Sequence, residues 1–284
     1  MMNSAILLIS CPDQKGITAQ VSSFISKNNG NIEHADQHID NQTNTFFMRI
    51  EWSLRNFSIP KESITKEFSA LAKKFNMHYS LSFSESIPRV AVFASRSLHC
   101  LHDLLLRHAE GQLRCKIVLV ISNHSDAKKI VNDFGAKFFE FPVTRKTKSQ
   151  VEAKTADLLI REKVDLLILA RYAQILTKKF LDKFPNRIIN IHHSFLPAFI
   201  GENPYGQAYR RGVKIIGATS HYVTEELDAG PIIEQDTVRI NHRDTIADLK
   251  IKGQDLEKIV LSRAVRWHLE RKILIYNNKT VVFD

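Results

Sequence analysis

The sequence predicts an α/β chain in two parts: an amino-terminal ferredoxin-like βαββαβ unit and a carboxy-terminal doubly wound, mostly parallel, Rossmann-like sheet. Three observations carry this. Residues 1–84 alternate apolar runs and helical spacings in the order β-α-β-β-α-β. Residues 89–284 open with short apolar runs separated by helix-patterned segments, as crossover connections require. Between them, residues 85–88 read as a linker ending in Pro88.

In the first unit, residues 6–9 form a short buried strand. The strand runs into a turn-rich loop, Cys11-Pro12-Asp13-Gln14-Lys15-Gly16. Ile17, Val21, Phe24 and Ile25 then fall at helical spacing, and Asn28-Asn29-Gly30 closes the helix. Residues 31–39 and 45–52 flank a polar turn and read as a hairpin. Phe46, Met48, Ile50 and Trp52 alternate with Phe47, Arg49 and Glu51, the pattern of a half-buried strand. A second helix follows Pro60, with Ile64, Phe68, Leu71 and Phe75 on one face, and residues 78–83 complete the unit as a strand.

In the second unit, strands are predicted at residues 89–94, 116–121, 137–141, 165–170 and 187–191. Helices at 98–108, 126–134 and 150–162 separate the first four. Such sheets bind ligands beyond the carboxyl ends of their strands, where the winding reverses. Residues 192–212 read as loop, with Pro197, Gly201, Pro204 and Gly206. Strands at 215–223 and 232–240, a helix at 246–269 and a last edge strand at 280–283 follow.

Composition bounds the function. A chain of 284 residues with 44% hydrophobic and 25% charged side chains is an ordinary globular protein. Its net charge of +10 suits an anionic partner. The basic residues are scattered, however, and the densest cluster, Arg145-Lys146-Thr147-Lys148, has no interleaved aromatics, so it reads as a solvated face and no nucleic-acid partner is expected. No run approaches the roughly 18 apolar residues of a membrane span. The apolar start, residues 5–9, is too short for a secretory core. Three cysteines without metal or redox spacing favour a reducing compartment, and a cytoplasmic protein is expected.

Residues 188–235 are chemically dense. Asn190 and His192 flank Ile191 at a strand end, where the two-residue period puts both on one face. Asp228 precedes the rigid Gly230-Pro231 turn. Two rival chemistries are open to the same residues. Ser194 with a histidine and Asp228 has the members of a hydrolase triad, but lacks the Gly-x-Ser-x-Gly elbow. His192, His193 and His221 are zinc-type ligands, but adjacent histidines on a strand point apart and no carboxylate or cysteine spacing supports a site, so no metal is expected. A supporting role suits His221 better.

Asn190-Ile-His192-His193-Ser194-Phe-Leu-Pro197, followed by Asp228-Ala-Gly230-Pro231-Ile-Ile-Glu-Gln235, resembles the formyltransferase family that uses 10-formyl-tetrahydrofolate. Residues 190–205 and 211–235, the opening Cys11-Pro-Asp-Gln-Lys-Gly16, Asn31-Ile-Glu-His-Ala-Asp36 and the His193 doublet are similar to its formyltetrahydrofolate deformylase branch, nearly end to end. The resemblance implies hydrolysis of 10-formyl-tetrahydrofolate at a linear amide C–N bond. The products, formate and tetrahydrofolate, would supply purine synthesis and balance folate pools. Folate is then the substrate, and no cofactor is implied. The alternative is formyl transfer to an amine acceptor. A non-catalytic amino-acid or folate sensor is the reading from another class.

The family's catalytic trio maps onto Asn190, His192 and Asp228. Attack on a formyl carbon creates an oxyanion that needs preorganised donors, here the Asn190 amide and a protonated His192. His192 would then pass a proton to the leaving nitrogen, while Asp228 orients the water and takes its proton. The resemblance also implies a pterin pocket formed by Arg171, Tyr172, Gln174, Ile175 and Leu176, with Gly201 in the substrate loop. Ala173 stands where the family usually carries Met, and Glu202 where a small residue is usual. Residues 94–101 contain no glycine, so the phosphate-cradling loop of the related transformylases is missing. The first unit resembles an ACT regulatory module. This implies a homo-oligomer with an amino-acid effector bound around Asp13, Gln14, Lys15 and Gly16.

Overall fold

The computed structural model describes residues 3–198 and 203–284. The chain divides into two compact units, each described by itself.

The first unit comprises residues 1–87 with segments 271–276 and 281–284. Its elements are β1 (Ser4–Pro12), α1 (Ile17–Lys27), β2 (Asn31–Asp40), β3 (Thr45–Ser53), α2 (Ile64–Lys74) and β4 (His78–Phe83). They form an antiparallel sheet of order β2-β3-β1-β4. Register pairs Leu7 with Ile50, Ile9 with Met48 and Ala5 with Trp52. That puts one apolar row under Val21, Ile25, Ile64 and Phe68 of the helices. The helical stripes and period-two strands predicted this layer.

The other face differs from the half-buried strand expected of β3. Phe47 is 0% and Arg49 4% exposed. The cause is the carboxy-terminal hairpin of β12 (Ile273–Tyr276) and β13 (Lys279–Val282). Its Leu274, together with Phe283, packs on Phe47. Arg49 lies 2.8 Å from Glu51 and donates to the Arg271 carbonyl at 3.1 Å. Residues 280–283 therefore do not edge the large sheet, and residues 271–276 and 281–284 group apart from the rest of 89–284. An apolar run of four residues does not state which face it will cover.

In the loop before α1, Gly16 adopts φ +93°, a left-handed conformation that suits glycine. Asp13, Gln14 and Lys15 stand on the exposed approach to that helix.

The second unit comprises residues 88–270 and 277–280. Strands β5 (Arg89–Ala94), β6 (Lys116–Ser122), β7 (Lys137–Glu140), β8 (Leu166–Ala170), β9 (Ile188–His192), β10 (Ile215–Tyr222) and β11 (Ile232–Arg239) form one sheet. Its order is β11-β10-β9-β8-β5-β6-β7. The five strands from β9 to β7 run parallel, and β10 and β11 are antiparallel. Helices α3 (His99–Ala109), α4 (Lys128–Asp133), α5 (Lys148–Arg161) and α6 (Lys178–Leu181) lie between the parallel strands in sequence. The chain winds outward from β5 to β7, then returns to the other side of β5 as β8. The switch point is thus between the ends of β5 and β8, at Ala94 and Ala170.

The loop-rich stretch contains one helix that composition concealed, α7 (Pro204–Arg211). Asn203 caps it by accepting from the Gly206 N–H at 3.2 Å, and proline takes the first turn. Helix α8 (Ile246–Leu269) starts with a capping box between Thr245 and Asp248. No described helix is long and apolar enough to cross a membrane. Cys11, Cys100 and Cys115 are unbridged.

Candidate active site

A cleft of about 790 Å³ opens at the switch point. Its walls come from the segments after β5 (Ser95, Arg96, Ser97), after β8 (Arg171 to Leu176) and at the end of β9 (Asn190, His192, His193), with His221 and Asp228.

Period two places Asn190 and His192 on the cleft side of β9, as the spacing predicted. Antiparallel pairing sets His221 of β10 opposite Asn190. The His221 Nδ1–H donates to the Tyr222 carbonyl at 2.9 Å, since a carbonyl only accepts. Nε2 lies 3.2 Å from the Asn190 amide nitrogen. That contact positions the Asn190 side chain on the cleft wall. The supporting role expected of His221 has this geometry.

Asp228 arrives on the turn between β10 and β11. Its φ of +54° is a left-handed conformation uncommon outside glycine, and one that Asp tolerates better than most. Gly230 explains the turn. A Cβ there would sit 1.8 Å from the Tyr222 carbonyl oxygen, so only glycine lets the chain pass. The Asp228 carboxylate reaches His192, Oδ2 to Nδ1 at 3.2 Å, and lies 3.6 Å from His221 Nε2. Burial pushes this carboxyl up, but the imidazoles of His221, His192 and His193 outweigh burial and hold it below the ordinary carboxylate value. The result is a carboxylate kept ionised behind a histidine, with an amide beside them.

Gln235, at the end of the motif, braces the loop after β9. Its amide donates to the Leu196 carbonyl at 3.0 Å and the Thr219 hydroxyl at 2.9 Å. Thr219 in turn donates to the Ser194 carbonyl. The Ser194 hydroxyl donates to the Ala198 carbonyl at 2.7 Å and is 3% exposed, so it faces its own loop and not a histidine.

The loop after β8 is fixed from β5. The Ser95 hydroxyl accepts from the Ala173 N–H at 3.0 Å and donates to Asn123 at 2.6 Å. Gln174, Ile175 and Leu176 line the cleft. Ile175 is 60% exposed, an apolar surface offered to a ligand. Tyr172 lines the cleft, but its ring packs edge-on against Phe93 at 5.2 Å, and burial pushes its hydroxyl up to about 12. Gly201 and Glu202 lie outside the described residues.

Sequence reasoning did not reach the network behind Arg171. Glu257 of α8 is 1% exposed. It holds His99 Nε2 at 2.9 Å, the Tyr205 hydroxyl at 2.5 Å and Arg171 Nε at 3.3 Å. Burial pushes its carboxyl up, but those partners prevail and hold it below the ordinary value. One signal was available: Gly253, Leu256, Val260, Leu261 and Ala264 are the buried stripe of α8, and Glu257 is a charge placed in it. His99, Cys100 and Glu257 also bring potential metal-ligating atoms within 4.8 Å of one another, but the Arg171 cation already occupies the carboxylate.

Comparison with known proteins places this architecture. A family profile described as "Formyl transferase" matches residues 88–265, and an "ACT domain" profile matches residues 5–72. A curated formyltetrahydrofolate deformylase of Synechocystis sp. is 52% identical, over 99% of this chain and 98% of its own length. The chain belongs to the formyltetrahydrofolate deformylase family. A crystal structure of a family member from Pseudomonas syringae pv. tomato superimposes with TM-score 0.97 at 45% identity, covering 100% of this chain and 95% of that one. Glycinamide ribonucleotide transformylase 1 from Symbiobacterium toebii matches with TM-score 0.67 at 31% identity. It covers 72% of this chain and is itself covered over 98%. The ACT and formyltransferase parts expected from the motifs are thus those of the family.

Proposed function

We propose that the chain hydrolyses 10-formyl-tetrahydrofolate to formate and tetrahydrofolate in the cleft at the switch point. One observation carries this reading: an amide, an imidazole and a carboxylate from β9 and the turn after β10 converge on one cleft wall. The loop of Arg171, Tyr172, Gln174, Ile175 and Leu176 takes the pterin ring and brings the formyl group to that wall.

Asn190 donates to the formyl oxygen. Asp228 orients a water and accepts its proton as the water oxygen bonds to the formyl carbon. The oxyanion is stabilised by Asn190 and by His192, whose protonated form the Asp228 charge favours. The carbon–N10 bond then breaks, and His192 passes its proton to N10. The neutral His192 takes the acid proton of the formic acid, Asp228 releases its proton to solvent, and formate and then tetrahydrofolate leave. Hydrolysis is favoured over transfer by the glycine-free segment 94–101, which offers no cradle for a phosphorylated acceptor.

The remaining expectations join this proposal: a cytoplasmic homo-oligomer, without a cofactor, regulated by an amino acid at Asp13, Gln14, Lys15 and Gly16. Purified chain given 10-formyl-tetrahydrofolate alone tests the activity. Formate release without an amine supports hydrolysis, and release only with an amine supports transfer. Rates unaltered by any amino acid at millimolar levels would remove the effector.

A further inference from the structure

His193 is an imidazole of the cleft, beside the catalytic wall, to which this mechanism gives no task. Adjacent histidines on a strand point apart, but β9 ends at His192, so the alternation stops there. His193 lines the same cleft, its ring centroid 5.2 Å from that of His192. Its Nδ1 lies 2.5 Å from Arg171 Nη1. A guanidinium has donors only, so Nδ1 is the lone-pair nitrogen and the ring hydrogen sits on Nε2.

Arg171 is itself fixed. Its backbone is left-handed, at φ +60°, and its Nε lies 3.3 Å from the buried Glu257 carboxylate. The Tyr205 ring packs 5.7 Å from the His193 ring. Among the described residues, Nε2 meets no protein acceptor. The groups facing this imidazole are Arg171, His192 and Tyr205, with Glu257 and Asp228 beyond. Burial and then the Arg171 charge bring its pKa down to about 3, so the ring stays neutral across the range in which histidines ordinarily titrate.

We propose that His193, clamped through Nδ1 by Arg171, is a fixed Nε2–H donor to the attacking oxygen and selects water over an amine as nucleophile. This rests on the hydrolytic reading of the cleft. Water has two lone pairs, so it accepts from His193 with one and attacks with the other. A neutral amine has a single lone pair, which the same hydrogen bond would consume. His193 therefore permits hydrolysis and opposes transfer.

Nitrogen-15 histidine spectra of the full chain test the clamp directly. The expected result is an Nε2–H tautomer for His193 with no titration between pH 5.5 and 8, assigned by its disappearance in His193→Gln. A hydrogen on Nδ1, or a ring that titrates in that range, overturns the proposal. In Arg171→Met the Nδ1 clamp is lost and the pKa of the ring should rise, while burial still holds it below that of a free histidine. His193→Leu should lower kcat for formate release about tenfold with KM nearly unchanged. It should also form N-formyl product from added ethanolamine, which the wild type does not. His193→Gln keeps a neutral N–H and should remain within about threefold of wild type. Wild-type kcat in His193→Leu overturns the role. A wild-type chain that releases no formate overturns the hydrolytic reading and this role with it, and the tautomer distinguishes that failure from failure of the clamp.

Discussion

Asp228→Asn removes a charge and almost nothing else. Asn tolerates the left-handed backbone of this position as well as Asp does, so the turn should survive. At 3.2 Å, a carboxylate and an imidazolium attract by about 5 kcal/mol at an effective dielectric near 20. The cleft admits solvent, so about half of that is a fairer figure, or close to a hundredfold in rate. Loss of the proton acceptor for water costs a further factor of about 10² to 10⁴. The two effects share one carboxylate and do not multiply fully. A fall in kcat of about a thousandfold or more is expected, with KM within about threefold, because the cleft loop after β8 is untouched. Formate release by coupled assay and folate binding by fluorescence quenching measure the two separately. A variant with more than about a tenth of wild-type kcat would refute the role of Asp228.

The remaining predictions concern the supports of this group. Gly230→Ala drives a Cβ into the Tyr222 carbonyl, so the turn must shift and formate release should fall at least about tenfold; a wild-type rate would contradict the steric account. Glu257→Gln leaves the Arg171 cation without its buried carboxylate and should destabilise the second unit by about 3–5 kcal/mol in urea unfolding, whereas a loss below about 1 kcal/mol would contradict it. The Asp228 and Glu257 carboxyls have lowered folded values, so their contribution to stability is present above their unfolded values and is lost as pH falls through the folded ones. The Asp228 carboxyl carbon should accordingly titrate by carbon-13 NMR with a midpoint below that of an ordinary aspartate, and a midpoint above it would contradict this.

The sequence disclosed the parts of this structure that depend on local period. Asn190 and His192 share a face because two residues of strand separate like faces, and the rows beneath α1 and α2 follow from the same rule. Contacts between distant segments were hidden. Nothing around Phe47 or Arg49 says that residues 271–284 will cover them. Likewise, nothing in residues 192–212 distinguishes α7 from a loop, because Asn203, Pro204 and Gly206 serve both a capped helix start and a turn. His193 was misplaced because the two-residue rule was carried one position past the end of β9. Glu257 carried its own signal, a carboxylate in an apolar stripe, but its partners Arg171, His99 and Tyr205 come from three other segments.

The central claim is that this cleft delivers a formyl group to water without an acceptor. Purified chain mixed with 10-formyl-tetrahydrofolate and no amine tests it most directly. One formate and one tetrahydrofolate per substrate, over many turnovers, is the predicted result. An intact substrate that turns over only when an amine is added would contradict it.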